Sequence, residues 1–302
     1  MHPDVSVVVP THNRPAGLTA LLDALRAQTL DAERFEVIVV DDGSQPPVAD
    51  SDGVAVLRHD QPRGPGAARN RGWREARAPL VAFTDDDCIP AAGWLEALIE
   101  TAGHDNNVIV EGPVRPPPEQ EAELTPLSHT IERVEQDRLF ATCNIAYSRA
   151  VLEGAGGFDE SFRRSAEDVD LGTRATKKGA TVRFAEQAVV HHEVRQPTLG
   201  ELLRHTTKWT DSVKAVKRHP ELREILVGGV FWKPTHPLLL LAAAGLAARR
   251  PVAALPYLAW YARLYHGDVR RLARALPKHV AVDITEVGTM AAGSVLHRTP
   301  VL

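Results

Sequence analysis

The feature that most limits the fold is a set of short apolar runs that each stop at a polar or acidic cluster. Val5-Ser6-Val7-Val8-Val9 closes at Pro10 and leads into Thr11-His12-Asn13-Arg14. Glu36-Val37-Ile38-Val39-Val40 ends in Asp41-Asp42-Gly43-Ser44, and Leu80 to Phe83 ends in Thr84-Asp85-Asp86-Asp87. Runs of this kind read as buried strands. Between the first two, Leu18, Leu21, Leu22 and Leu25 recur at i, i+3, i+4 and i+7, the spacing of a helix face. Strand, helix and strand joined by short connections form a right-handed parallel βαβ unit. Val54 to Leu57 adds a strand, and Gly64-Pro65-Gly66 opens a helix running to about Ala78. A further helix is expected from Pro90 to Ala102, with Trp94, Leu95, Leu98 and Ile99 on its buried face, and then a strand at Val108 to Val110. Strands alternating with helices predict an α/β fold with a mainly parallel central sheet covered on both faces.

Beyond residue 110 the pattern loosens. Residues 113–126, rich in proline and glutamate, read as a surface loop. A strand is expected over Ala141 to Tyr147, a glycine-rich turn over Gly154 to Glu160, and a helix opening at Ala166-Glu167-Asp168. A strand at Thr181 to Phe184 precedes Val189-Val190-His191-His192. No internal repeat is present.

The acid-tipped strand carries the sharpest chemical signal. Three neighbouring carboxylates at a buried strand end repel one another and resist desolvation, so they require a cation among them or contact with water. In open α/β sheets ligands bind beyond the C-terminal strand ends. Mg²⁺ or Mn²⁺ held there by one or two carboxylates would take the phosphates of a substrate as its remaining ligands. A solvated acidic turn would use the same residues. Asp41 or Asp42 suits a ribose or base. The helix start after Gly64 and Gly66, with the planar fork of Arg69, suits a phosphate. The chain lacks a G-x-x-x-x-G-K-[ST] loop and a G-x-G-x-x-G after the first strand, which argues against a P-loop NTPase and a nicotinamide dehydrogenase.

Pro10-Thr11-His12-Asn13-Arg14, Asp41-Asp42-Gly43-Ser44, Gly64-x-Gly66-Ala-Ala-Arg69-Asn70 and Phe83-Thr84-Asp85-Asp86-Asp87, in that order and spacing, resemble family 2 glycosyltransferases. Gly157-Phe158-Asp159-Glu160 and Glu167-Asp168-x-x-Leu171 look like that family's acceptor-side elements, so the resemblance covers about residues 4–195. It implies a GT-A fold and inverting transfer of a sugar from a nucleotide-diphosphate donor, UDP by default, to an acceptor hydroxyl. Pro10, Thr11, Arg14, Asp41, Asp42, Gly66, Arg69 and Asp86 would then lie on the donor side. Asp85 and Asp87, with His192, would hold Mg²⁺ or Mn²⁺, which would neutralise the diphosphate leaving group. Asp168 would be the general base, with Gly157, Phe158, Asp159 and Glu167 on the acceptor side. Asp86 departs from the small or neutral middle residue usual in the D-x-D pair, which leaves open which two of the three acids coordinate.

Charge is distributed unevenly. Residues 1–200 carry 20 Lys/Arg against 32 Asp/Glu, whereas residues 201–302 carry 15 against 7. The basic C-terminal third is expected to meet something anionic; a nucleic acid is not expected. Pro237 to Ala248 and Val252 to Tyr261 are apolar runs split by Arg249-Arg250-Pro251. Each spans about 18 Å as helix, too short for a bilayer core of about 30 Å. Two readings stay open: a buried helical hairpin, or interfacial helices. Trp232, Tyr257, Trp260, Tyr261 and Tyr265 would serve the latter as interfacial aromatics, and Arg249, Arg250, Arg263, Arg270, Arg271, Arg274 and Lys278 would face anionic lipid. The last dozen residues are expected to fray.

The chain is thus expected to place a catalytic domain over 1–200 and a helical extension over 201–302, with an acceptor that is a lipid-linked or cell-surface glycan or a secondary metabolite. The start shows no secretory signal pattern. Cys88 and Cys143 form no disulfide framework and no metal-ligand spacing. A cytoplasmic protein, at the membrane face if the extension touches lipid, is the expectation. Its rivals are a catalytically silent nucleotide-sugar-binding subunit and a sugar nucleotidyltransferase.

Overall fold

The computed structural model describes residues 2–302. Its elements run β1 (Val5–Thr11), α1 (Pro15–Arg26), β2 (Phe35–Asp41), β3 (Val54–Arg58), α2 (Pro65–Glu75), β4 (Leu80–Phe83), β5 (Cys88–Pro90) and α3 (Trp94–Ala102). There follow β6 (Val108–Glu111), β7 (Val114–Arg115), β8 (Ile145–Ser148), α4 (Arg149–Ala155), α5 (Glu167–Lys177), β9 (Thr181–Phe184) and β10 (Val190–His192). The chain divides into two units, one up to Leu124 with Thr130–Arg195, the other Thr125–His129 with Gln196–Leu302.

The first unit is the expected α/β body. Its seven-stranded sheet has the order β3-β2-β1-β4-β8-β6-β9. β1 runs parallel to both β2 and β4, with Thr11 opposite Asp41 and Val8 opposite Phe83. The clusters after these three strands therefore share one sheet edge. β8 runs antiparallel between β4 and β6, which makes the sheet mixed. One face packs Leu18, Leu21 and Leu25 of α1 and Trp94, Leu95 and Leu98 of α3. The other packs Trp73 of α2, Leu152 of α4 and Leu171 of α5. A Cβ at Gly72 would overlap the Val8 side chain, so only glycine lets α2 lie this close to the sheet. A small second sheet, β5-β10-β7, sets His192 opposite Cys88, beside the acidic strand end.

Local differences from the sequence expectation have identifiable causes. The helix expected from Pro90 begins only at Trp94. Cys88–Pro90 instead pairs with β10, and a turn closed by Trp94 N–H to Ala91 O intervenes. The strand expected from Ala141 starts at Ile145. The glycine-rich turn expected from Gly154 gives its first two residues to the short helix α4, which stops at Gly156 in the left-handed conformation. Residues 113–126 hold β7 and a 3₁₀ turn at Pro118–Glu123.

The second unit contains α6 (Leu199–Thr206), α7 (Thr210–Arg218), α8 (Thr235–Ala247), α9 (Leu255–Leu264) and α10 (Val269–His297). Thr198 and Glu201 form a reciprocal capping box that fixes the start of α6. The two apolar runs are α8 and α9, which pack on α10 through Leu238, Ala242, Leu272 and Leu276. Tyr257 and Tyr261 are not interfacial aromatics: both are buried, and their hydroxyls donate to Asp283. Nor do the last dozen residues fray. They continue α10 to His297, after which Val301 is buried and Leu302 exchanges backbone hydrogen bonds with Val230 and Trp232. Among the described residues no helix is long and apolar enough to cross a membrane.

Candidate active site

Each acid after β4 has a different partner, because successive side chains leave the turn in different directions. Asp85 accepts from Arg69 Nη2 at 2.6 Å and is the most exposed of the three. Asp86 turns inward, accepting from Thr11 Oγ1 at 2.7 Å and lying 3.5 Å from Arg14 Nε. Burial, reinforced by Asp87 and Asp85, pushes Asp86 up to about 6 despite Thr11 and Arg14. Asp87 accepts from Arg14 Nη1 at 2.8 Å and stands 3.6 Å from His192 Nε2. Burial alone would raise Asp87, but His192 and Arg14 outweigh it and hold the carboxyl below its usual range. The cations that make three adjacent acids tolerable are thus Arg14 and Arg69.

Asp87 and His192 offer a carboxylate oxygen and an imidazole nitrogen that could serve a divalent ion, and the Cys88 sulfur lies within 4.8 Å of both. Cys143 and burial keep that thiol protonated, which makes it a poor ligand for a hard ion such as Mg²⁺ or Mn²⁺. His192 Nδ1 is 3.0 Å from Glu193 O, which orients the ring so that Nε2 faces Asp87. Cys88, which by sequence spacing belongs to no metal motif, is brought in by the β5–β10 pairing.

Asp41 is engaged by its own loop and by β3, and Asp42 by the segment that follows β3. Asp41 accepts from the backbone of Ser44 and Val48 and from Arg58. Asp42 accepts from the backbone of Arg63 and Gly64 at 2.8–3.1 Å and meets His59 Nδ1 at 2.7 Å. Asp42 thereby pins the glycine loop before α2 to the end of β2. Arg58 and His59 had no motif to mark them; their only sequence signal is the end of β3. Pro10 precedes Thr11 at the close of β1. Arg14 also reaches Glu193 at 3.1 Å, a partner 179 residues away that local pattern could not show.

Arg69 is buried, and its guanidinium spans from Asp85 to Glu167, whose Oε1 accepts from Nη1 at 2.9 Å. Burial would lower this group, but Asp85 and Glu167 hold it above its ordinary value. One arginine therefore ties the acidic strand end to the first turn of α5. Gly66 packs directly on Glu167 and Phe158, where a Cβ would stand 3.4–3.5 Å from their side chains. Asn70 clamps the Gly157–Glu160 turn, donating to Phe158 O at 2.8 Å and accepting from Phe158 N at 2.9 Å. Gly157 has φ +71°, and a Cβ there would collide with Asn70. The Phe158 ring packs edge-on against Phe83, and Asp159 caps its own turn through Ser161.

Asp168 is the second residue of α5. Ala166, which caps the start of α5 two residues earlier, sits in the left-handed region at φ +66°, a conformation that costs energy for a residue with a Cβ. Burial and the adjacent Glu167 push Asp168 up to about 7, against the pull of Val169 N–H and Arg69. A carboxylate titrating near neutrality is suited to accept a proton at working pH.

Residues 6–164 match the family model described as glycosyl transferase family 2. The chain belongs to that family. A second match, to glycosyl transferase family group 2, covers residues 135–265. The chain is 34% identical over 254 residues to the pre-mycofactocin glycosyltransferase of Mycobacterium tuberculosis, covering 75% of this chain and 50% of that protein. It is 30% identical to glycosyltransferase AglE of Haloferax volcanii, over 67% of this chain and 70% of that one. The chain thus spans about half the length of the mycobacterial relative. The mannosyltransferase PcManGT of Pyrobaculum calidifontis, solved with GDP-Man and Mn²⁺, aligns over 97% of this chain and 87% of its own. At a TM-score of 0.61 and 20% identity, that likeness establishes the GT-A fold of this family 2 member.

Proposed function

We propose that the chain is a metal-dependent inverting glycosyltransferase that moves a sugar from a nucleoside-diphosphate donor to an acceptor hydroxyl. The observation that carries this reading is the Arg69 bridge. It joins a metal-class carboxylate, Asp85 at 2.6 Å, to Glu167 at 2.9 Å, the residue next to a carboxylate poised near neutrality. Thr11, Arg14, Asp41 and Asp42, with Pro10, form the nucleotide side. Asp42 acts there by fixing the 63–64 backbone as well as by its own carboxylate. Asp87 and His192, with Asp85, would hold Mg²⁺ or Mn²⁺, which would supply positive charge for the departing diphosphate. Asp168 takes the acceptor hydroxyl proton as that oxygen attacks the anomeric carbon from the face opposite the diphosphate. A single such displacement inverts the centre. Phe158 and the Gly157–Glu160 turn, clamped by Asn70, shape the acceptor side.

UDP- and GDP-sugars are the first donors to try, GDP-mannose because PcManGT was solved with it. The test is release of nucleoside diphosphate from a panel of nucleotide sugars, with product stereochemistry read by NMR. Retained anomeric configuration, or turnover unchanged in Asp168→Asn, would count against the mechanism.

Residues 1–200 would be the catalytic part, and the helices of 201–302 would contact an anionic membrane surface from the cytoplasmic side. Support comes from the exposed apolar residues Leu241, Leu246, Val252, Leu255 and Trp260, together with exposed Arg249, Arg250 and Arg263. Failure to co-sediment with anionic vesicles at low salt would remove this part of the proposal. A lipid-linked acceptor would follow from it.

A further inference from the structure

The helical unit buries a second set of ionisable side chains that the proposed transfer does not use. Asp283 and Glu286 lie one turn apart on α10, and His236 comes from the first turn of α8; none is more than 3% exposed. One ligand atom from each lies within 4.8 Å of the others. His236 Nε2 and Glu286 Oε2 are 3.2 Å apart. That is about the spacing of two ligands on a tetrahedral ion with bonds of about 2.0–2.2 Å.

The cluster is short of positive charge. Asp283 accepts from the neutral hydroxyls of Tyr257 and Tyr261 at 2.9 and 2.8 Å. Lys233 Nζ bonds both oxygens of Glu286, at 2.7 and 2.8 Å. One ammonium thus faces two buried carboxylates, and an uncompensated buried charge is strongly unfavourable. His236 Nδ1 is buried with no hydrogen-bond partner, while Nε2 faces Glu286. An imidazole nitrogen is a common metal ligand.

We propose that His236, Asp283 and Glu286 bind one divalent ion of the zinc class, clipping α8 to α10. A mixed imidazole–carboxylate set suits Zn²⁺ better than Mg²⁺ or Ca²⁺. Lys233, whose side chain is 41% exposed, holds the place of the ion against Glu286 and moves to solvent when the ion enters. It competes with the metal, so its removal tightens binding.

Because the acids after β4 are a separate candidate for the same ion, the test uses the 302-residue chain carrying Asp87→Asn, stripped with EDTA, exposed to Zn²⁺ and desalted. Mass spectrometry of the metal should count one zinc per chain. Adding Asp283→Asn or His236→Gln should lower retention at least tenfold in protein whose circular dichroism shows it folded. Adding Lys233→Met, which leaves all three ligands in place, should lower the Zn²⁺ concentration for half-saturation about tenfold. No retained zinc, retention unaffected by Asp283→Asn, or weaker binding in Lys233→Met would each overturn the site.

Discussion

Replacing Arg69 with methionine keeps most of the side-chain volume and removes the charge that two acids share. Glu167 is 7% exposed in its side chain, so its loss of a partner leaves a buried, unpaired carboxylate; breaking such a pair costs about 3–5 kcal/mol. Asp85 is 27% exposed, and solvent screening limits its share to under about 1 kcal/mol. The stacking of the guanidinium near the Phe158 ring, at 5.9 Å, adds about 0.5 kcal/mol. The expected loss is therefore about 4 kcal/mol, and at about 2–4 °C per kcal/mol the melting point falls by about 8–16 °C. Urea and thermal denaturation followed by tryptophan fluorescence measure it. The discriminating arm is a double-mutant cycle. Glu167→Gln in the Arg69→Met background removes the stranded charge and should recover at least about 1.5 kcal/mol. A loss under 1 kcal/mol in Arg69→Met, or no recovery in the double variant, would refute the bridge as the tie between the strand end and α5.

Asp168→Asn should lower turnover about 10²–10⁴-fold while nucleoside diphosphate still binds, as isothermal titration would register. Because Asp168 must be ionised to accept a proton and is pushed up to about 7, kcat/KM should fall about tenfold per pH unit below 7 and level off above it. Glu111, buried with one oxygen unpartnered beside Arg133, is pushed up to about 7 by burial, with Asp137 adding to the rise and Arg133 opposing it. Its folded form holds a proton that the unfolded chain releases above about 4.5, so this stabilisation is complete below that pH and is lost as pH rises through 7. Glu111→Gln should flatten stability between pH 4.5 and 7, with denaturant midpoints at several pH values as the check.

The parts of the fold that sequence expressed were those with strong local periodicity. β1, β2 and β4 are β-branched or wholly apolar, and α1 repeats leucine at helical spacing, so their identity and shared edge were legible. The short strands β5, β7 and β10 were not. Two or three residues carry no period, and their pairing is set by partners about 75–100 residues away. The same limit applies to the site. Sequence could assemble Asp85, Asp86, Asp87, Asp168 and His192 as candidates. It could not say that Asp86 faces Thr11, or that Arg69 is spent on two carboxylates, because side-chain direction after a strand end depends on tertiary packing. In the helical unit, Tyr257 and Tyr261 look like interfacial aromatics until α10 brings Asp283 to their hydroxyls.

The most direct test is calorimetric titration of UDP and GDP into the 302-residue chain, with and without Mn²⁺, alongside Asp87→Ala. At least one nucleoside diphosphate should bind, Mn²⁺ should tighten it about tenfold or more, and Asp87→Ala should abolish the Mn²⁺ effect. Binding of neither nucleotide, or binding indifferent to both Mn²⁺ and Asp87, would contradict the assignment of this sheet edge as a metal-assisted nucleotide-sugar site.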